Sequence, residues 1–585
     1  MSLGIEIAGE KLELAPGTVL EIESANPFLQ FNEQNLLGEY SLPFQVIANA
    51  KNNRLLGYAG VGQQRVTNAA VDAILYDKSL QVGTGTVKKE KVNVHLNRVS
   101  KGTISCYYLS KASGFWQQIK DMKLREINVG GDRSFAWEGL STITDGFWKH
   151  IHQVAAGAVG AYDYAIFPVI NYGWSEGEYT PPLMNKVYYD AMQAFPVTFP
   201  NTYGAEHGFR MNRIVPFPYL KYVLTKAFEH AGWTVSGDIL DDADFEKIVM
   251  INFKAIDYGY KTFPGPDYVY RDPVVFNLQD NLPDISLSAF LIALKNRFGW
   301  YYDFDNTAKK CTIRMLRDLV NEAPTDKTAY SSPLIFKTIL QDNPLYALRN
   351  NDGNGALNFD GADVQSPVDK KTDLPSPDEN KYGHVRLVIE ENNYYICQQN
   401  EDTEAWEWVL LDYNIYDYEP DGFTEEITTD ALIVGNEYFD DYLDFIPRID
   451  NMGIGNKPTG EEVTWGIHLA FYYGQRDNKA GDPVPYASHH IYDSQGYTLS
   501  AWSLAFKALK TDDTEAGLYD LNWKPFLDML NSPEEVEHTL YLPLHEYLQL
   551  QFSDRIVVDG IELFIKQIKA KVPYDGVVNC VSVRV

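Results

Sequence analysis

The sequence predicts a mainly β, multidomain fold with small α/β elements: antiparallel β-barrel or sandwich domains joined to helix–hairpin units. Three observations predict it. Residues 1–145 run in short stretches where apolar and polar side chains alternate, the period of a half-buried strand. Aromatic residues make up 14% of the chain, with 39 Tyr, and Gly, Asn and Asp punctuate the runs, which favours strands and turns over long helices. Two stretches break the pattern, each reading as a helix that stops at a Gly and resumes at a Trp as strand. At 585 residues the chain exceeds one ordinary core, and about three to five domains are expected.

Taken in order, GIEIAGEKLELAPG (4–17) and VLEIESANPFL (19–29) alternate as strands. GEYSLPFQVIANAKNNRLLGY (38–58) gives a further strand and a loop. VDAILYD (71–77), VKKEKVNVHLN (87–97) and GTISCYYLS (102–110) are more strands, and FWQQIKDMKLREI (115–127) reads as one short helix at the end. Residues 1–145 are thus expected to form an N-terminal β-barrel or sandwich domain. Residues 146–215 read as an irregular connector, rich in Gly, Ala and Pro.

Residues 216–330 read as a small α/β domain holding the two helix–Gly–Trp–strand units. In the first, Tyr219, Leu220, Val223, Leu224, Ala227, Phe228 and Ala231 form one apolar stripe, Gly232 stops the helix and Trp233 opens an extended run. In the second, Ser286 is the expected N-cap, Leu287, Phe290, Leu291, Leu294 and Phe298 supply the stripe, and Gly299 ends it before Trp300. The two glycines are 67 positions apart.

Residues 331–480 read as an acidic β domain or insertion. Within them GADVQSPVDKKTDLPSPDENKYG (361–383) has no apolar period and reads as a loop or linker, followed by strand pairs around polar turns. Residues 481–585 read as a C-terminal β domain. It carries a short helix and then a strand in WKPFLDMLNSPEEVEHTLYL (523–542), and a hairpin turning at Asp559-Gly560.

The net charge is −30, from 80 acidic and 50 basic residues, which argues against a binder of nucleic acid driven by Lys and Arg. Half of that charge lies in residues 401–450, where 16 Asp and Glu meet one basic residue, Arg448. Such a stretch reads either as a solvated face or as a surface that repels a polyanion passing close by. The four cysteines, Cys106, Cys311, Cys397 and Cys580, lie far apart with no CxxC pair, so neither a zinc signature nor a dense disulfide framework is expected. Free thiols of a protein folded in a reducing cytosol are expected instead. The N-terminus has no basic start followed by an apolar run, so no secretory signal is read there. No stretch approaches the about 20 apolar residues that span a bilayer.

Each candidate for chemistry is incomplete. WYYDFDNT (300–307) has the Asp-x-Asp-x-Thr order of the nucleophile strand in haloacid-dehalogenase phosphatases, with Asp303 and Asp305 as the pair. AKKCTIRM follows and alternates as a returning strand, where that chemistry requires a crossover helix. HEYLQ (545–549) starts like a zincin motif, but Gln549 stands where the second His belongs, and the segment reads as strand. His150 and His152 would share one face of a strand, while His489 and His490 would face opposite ways; no further ligand stands near either pair. DYEPDGFTEEIT (417–428) begins like a calcium loop but ends in Thr428 rather than Glu. GYAGVGQQR (57–65) lacks the Lys-Ser/Thr ending of a phosphate-binding loop. No catalytic, cofactor-binding or metal residue is therefore expected.

The order of pieces resembles a known class. NPF (26–28) is followed by EYSLPFQVIANAKNNRLLGY, then by a helix ending in AGWTVSG, then by LSAFLIALKNRFGWYYDFDNTAKKCTIRM. LNWKPFLDML, LPLHEYLQLQFSDRIVVDGIELFIKQIKAKVP and VNCVSVRV close the chain. This resembles the large tail proteins of phages and prophages of Bacteroidota, and the hub class of tail-tip and baseplate proteins in long-tailed phages. It covers 1–130, 215–320 and most of 515–585, and leaves 330–510 unmatched. The resemblance implies a non-enzymatic virion protein without cofactor, built of β barrels arranged as a homotrimer. It implies tail tube or distal tail, tape measure and spike or fibre proteins as partners, and DNA passing close by without specific binding. A phage tail tip or baseplate, assembled after synthesis in the host bacterial cytoplasm, is the implied location. A carbohydrate-binding or carbohydrate-active host-recognition protein is the alternative that β domains, aromatics and acids suggest. A third is the analogue of a hub in a phage-like injection machine.

Overall fold

The computed structural model describes residues 3–29, 31, 40–57, 71–93, 102–110, 115–116, 118–119, 121–137, 146–171, 183–185, 214–261, 268–305, 308–338, 346–351, 363–364, 368, 370–381, 384–388, 393–400, 403–411, 417–418, 420, 425–440, 444–449, 465–477, 481, 483–488, 499–506, 517–530 and 534–585. The chain is mainly β, as its alternation predicts. It divides into two compact units, each assembled from separated pieces: Met1–Met122, Gly299–Leu345 and Asn522–Val585 in one, Lys123–Phe298 and Tyr346–Leu521 in the other.

The first unit is built on a 14-stranded sheet. Along its main path the order is Glu10–Lys11, Leu3–Ile7, Val71–Asp77, Leu80–Asn93, Thr103–Ser110, Tyr40–Ser41, Leu20–Ala25, Ile561–Val572, Val578–Arg584, Glu534–Leu540 and Ile335–Thr338. Strands from both ends of the sequence meet where Leu20–Ala25 lies antiparallel to Ile561–Val572, in register from Leu20 opposite Val572 to Ala25 opposite Gln567. Alternation places one side of each strand in the core, so that Ile5, Leu20, Val46, Val87 and Ile104 pack together, and Val536, Leu563 and Val578 form a second cluster. The predicted hairpin is present: Val558 faces Ile561, and Asp559 and Gly560 both take positive φ, 52° and 78°, as a type I′ turn requires.

The NPF piece is fixed by its Asn. Asn26 donates through its backbone N–H to the Lys566 carbonyl (2.9 Å) and through Nδ2 to the Ile565 carbonyl (2.6 Å), and its Oδ1 accepts from the Phe28 N–H (2.9 Å). The partner strand is also bulged between Ile565 and Gln567 against its other neighbour, Val578–Arg584. Phe28 is set against Tyr301 and Phe564, with ring centroids 4.0 and 6.3 Å away.

In the second unit Ile467–Asp477 is central. It pairs antiparallel with Ile248–Met250 and Pro483–Ser488 and parallel with Ala431–Ile433. Tyr346–Asn350 runs parallel to Glu425–Thr429, and His384–Val388, Asn393–Gln399 and Trp406–Leu411 form an antiparallel meander. The linker-like stretch before the meander carries short 3-10 turns at Lys371–Asp373 and Glu379–Lys381, a two-residue strand at Asp363–Val364 and a single bridge from Val368 to Val388 among its described residues. The helix Leu220–His230 buries the stripe read from its sequence. It ends as a Schellman motif: Gly232 has φ 77° and donates to Glu229, and Trp233 donates to Phe228. Ser286 caps the helix Leu287–Phe298, its Oγ accepting from the Ala289 N–H at 3.1 Å.

Three expectations are corrected. Residues 50–55, read as loop, are the helix Ala50–Leu55, because the Asn49 Oδ1 accepts from the Asn52 N–H (2.8 Å) and Asn52 is itself clamped to Glu13 and Ile47. The segment read as an irregular connector contains the helix Gly146–Ala155, whose Phe147, Trp148, Ile151, Val154 and Ala155 fall on one buried face. HEYLQ, read as strand, lies in the helix Leu544–Gln549, started by Pro543, whose carbonyl accepts from Glu546 and Tyr547. FWQQIKDMKLREI is helical at Phe115, Trp116, Gln118 and Ile119, with a 3-10 turn at Leu124–Glu126.

Gly85 shows how tightly the large sheet is packed. A Cβ there would stand 2.0 Å from the Leu109 carbonyl oxygen and 2.7 Å from the Tyr108 ring. Gly85→Ala is therefore expected to lower stability by more than about 3 kcal/mol or prevent folding, whereas Gly9→Ala, with φ 81° and open space around it, should cost only the strain of about 1–2 kcal/mol. Chemical denaturation of both variants checks the order; equal losses would contradict it.

Candidate functional site

Asp303 and Asp305 lie on the strand Trp300–Asp305, which pairs antiparallel with its own return, Lys310–Met315. Asp303 faces Thr312 and Asp305 faces Lys310. Asp305 Oδ1 accepts from the Ala308 N–H at 2.9 Å and so caps the turn. Burial raises the Asp303 carboxyl above its ordinary range, Arg314 pulls it back and Asp305 pushes it up again. The chain then enters the six-residue helix Leu316–Asn321 after the second strand, so the aspartates stand on a hairpin rather than at the end of a strand feeding a crossover.

The histidines are placed apart. His150 and His152 sit on a helix, where two positions correspond to about 200° of rotation, so they do not share the face a strand would give them. His150 Nε2 is 2.6 Å from the Tyr164 hydroxyl, and its ring stacks on Phe135 at 4.3 Å. Burial, with Arg133 adding to it, pushes His150 down to about 4; burial alone does the same to His152. The HEYLQ helix does not rescue the zincin motif: Glu546 is bonded to Lys327 at 2.6 Å, which holds its carboxyl low. His489 and His490 lie outside the described residues, as does GYAGVGQQR beyond Gly57. Among the described residues, no three His, Cys, Asp or Glu side chains converge as metal ligands would.

The fold does make one pair that the sequence hides. His538 and Cys580 are 42 positions apart but stand opposite each other in register on the buried face of neighbouring strands. His538 Nε2 is 3.0 Å from Ser582 Oγ. Such neighbours resemble a thiol and its base, yet burial pushes the thiol up to about 12 and the imidazole down to about 4. Both are therefore neutral, the opposite of an activated nucleophile. All four cysteines are free and buried, and burial raises each thiol. No signal within a few residues of His538 could have shown this pairing, since it depends on strand register.

The strongest polar arrangement is a buried node in the second unit. The helix Leu287–Phe298 buries Lys295, Asn296 and Arg297 as well as its apolar stripe, so its C-terminal half is covered all round, while Ala289 in its first turn is exposed. Arg297 donates from Nε to the Ala431 carbonyl (2.7 Å) and from a terminal nitrogen to Leu504 (3.4 Å). Its other terminal nitrogen bonds Asn350 Oδ1, and the guanidinium lies over the Phe506 ring, 4.6 Å from the centroid. Asn350 passes the chain on: its N–H and Nδ2 donate to Asp417 Oδ1 at 2.9 and 2.6 Å. Burial lowers Arg297 to about 9, with Asp417 acting to raise it.

This node explains part of the acidic stretch. Asp417, the first residue of the calcium-like segment, is committed to Asn350, and the far end of that segment is the strand Glu425–Thr429; residues 419 and 421–424 lie outside the described ones. Glu426 pairs with Arg349 (2.8 Å), and Asp430 accepts from Asn351 (2.7 Å). These acids hold strands together within the unit. Large aromatic side chains read as candidate sugar platforms are likewise mostly core: Trp300 and Trp523 are fully buried, and Trp137 is stacked between Tyr258 and Tyr270.

No protein-family model matches the chain. No curated protein matches it. Among solved structures, the 43 kDa tail protein of prophage MuSo2 from Shewanella oneidensis is similar at 8% identity and a TM-score of 0.32, covering 100% of this chain and 96% of that one. The tail protein of Neisseria meningitidis MC58 is similar at 8% identity and a TM-score of 0.29, with the same coverage. At these values neither likeness carries an argument.

Arg297→Ala is expected to cost at least about 3 kcal/mol, because each buried acceptor left without its donor costs about 1–3 kcal/mol; denaturant titration measures it, and a near-neutral result would show the node to be dispensable. Stability should be level between about pH 6.5 and 8 and fall between pH 6.5 and about 4. His150, His152, His468 and His538 all have lowered folded values near 4, so the unfolded chain takes up protons first as pH drops. Melting temperature against pH tests this. Asp303→Asn should not destabilise at neutral pH, since it removes a carboxylate that burial disfavours, whereas Asp305→Ala should cost about 1 kcal/mol by losing the turn cap. Phosphatase activity in the parent that Asp303→Asn abolishes would reverse this reading of the hairpin.

Proposed function

We propose that the chain is a structural protein of a tailed-phage virion, acting as tail hub or baseplate and tail-tip component. In this reading it joins the tail tube to a spike or fibre and surrounds the channel through which DNA leaves. It assembles as a homotrimer and meets tail tube or distal tail, tape measure and spike proteins through large symmetric interfaces.

The observation that carries the reading is where the pieces behind the sequence resemblance lie. NPF and GWYY lie more than 200 positions from each other and from NWKPF and IELF, yet their rings meet in the first unit. Phe28 touches Tyr301 and Phe564, and Phe526 lies 6.2 Å from Phe564. These four pieces of the resemblance thus share one packed core, which supports treating them as one framework; AGWTVSG and the helix Leu287–Phe298 belong to the second unit.

The acidity gains a role in this reading, because like charge keeps a channel wall from gripping DNA. Asp417, Glu426 and Asp430 have partners inside their unit, so the role falls to the remaining acids of 401–450. A neutral or basic lumen in a potential map of the assembled ring would end that part of the proposal.

Native mass spectrometry of the purified protein, with copy counting in virions, tests the whole. A stable trimer, or three or six copies per particle, is expected. A monomer that cleaves polysaccharide would overturn the proposal in favour of a carbohydrate-active protein.

A further inference from the structure

No further inference is drawn: the strongest candidate, the outer edge of the large sheet, where Ile335 and Phe336 are exposed on the strand Ile335–Thr338, is an apolar edge for which nothing in the structure shows what covers it.

Discussion

The first unit depends on the antiparallel pairing of Leu20–Ala25 with Ile561–Val572. Without it the N-terminal strands and the C-terminal strands would be two separate sheets, each with a bare edge. The pairing closes a very long loop, but closure entropy grows only with the logarithm of length, so each doubling costs about 0.6 kcal/mol. A ladder of six residue pairs with apolar side chains on its buried face offsets that cost. Register must also be held, because a slip by one residue would turn Leu20 and Ile22 out of the core. Asn26 supplies that hold at one end of the ladder, bonding the Ile565 and Lys566 carbonyls.

The aromatic contacts then follow from the pairing. Once Asn26 is seated, Phe28 reaches Tyr301 and Phe564, and Phe31 reaches Trp523 at 5.6 Å. Trp523 in turn lies against Gly299, where a Cβ would be only 3.0 Å from the indole. Gly299 therefore has two reasons to be Gly: its φ of 65° and the ring beside it. The second unit solves a different problem. The C-terminal half of its helix Leu287–Phe298 is buried on every side, so the charged residues there must find partners in the interior, and Arg297 does so through carbonyls, Asn350 and an aromatic face. A guanidinium bonded through each of its three nitrogens favours one arrangement of the surrounding strands, since its planar donors demand acceptors at set angles.

The polar chemistry of the described residues is turned toward holding strands and turns. Asp305 and Asp417 are hydrogen-bonded within the fold, and burial lowers His150, His152, His468 and His538 to about 4. Groups poised for catalysis show the reverse: a thiol pushed down, or a base near neutrality.

The sequence by itself determined the local geometry. The Asp559-Gly560 hairpin, the stop at Gly232, the Ser286 cap and the strand alternation were all legible, because each rests on residues within a few positions of one another. The short helices at Ala50–Leu55 and Leu544–Gln549 were not, since six residues hold too little periodicity and their stability comes from tertiary anchors. Aspartates 303 and 305 were legible as a turn from the alternation that follows them. His538 beside Cys580, Arg297 beside Asn350 and the union of both chain ends in one sheet were decided only by tertiary structure. Alternation shows which face of a strand is apolar, but not which strand will lie next to it; that is settled when distant surfaces meet and a register is fixed.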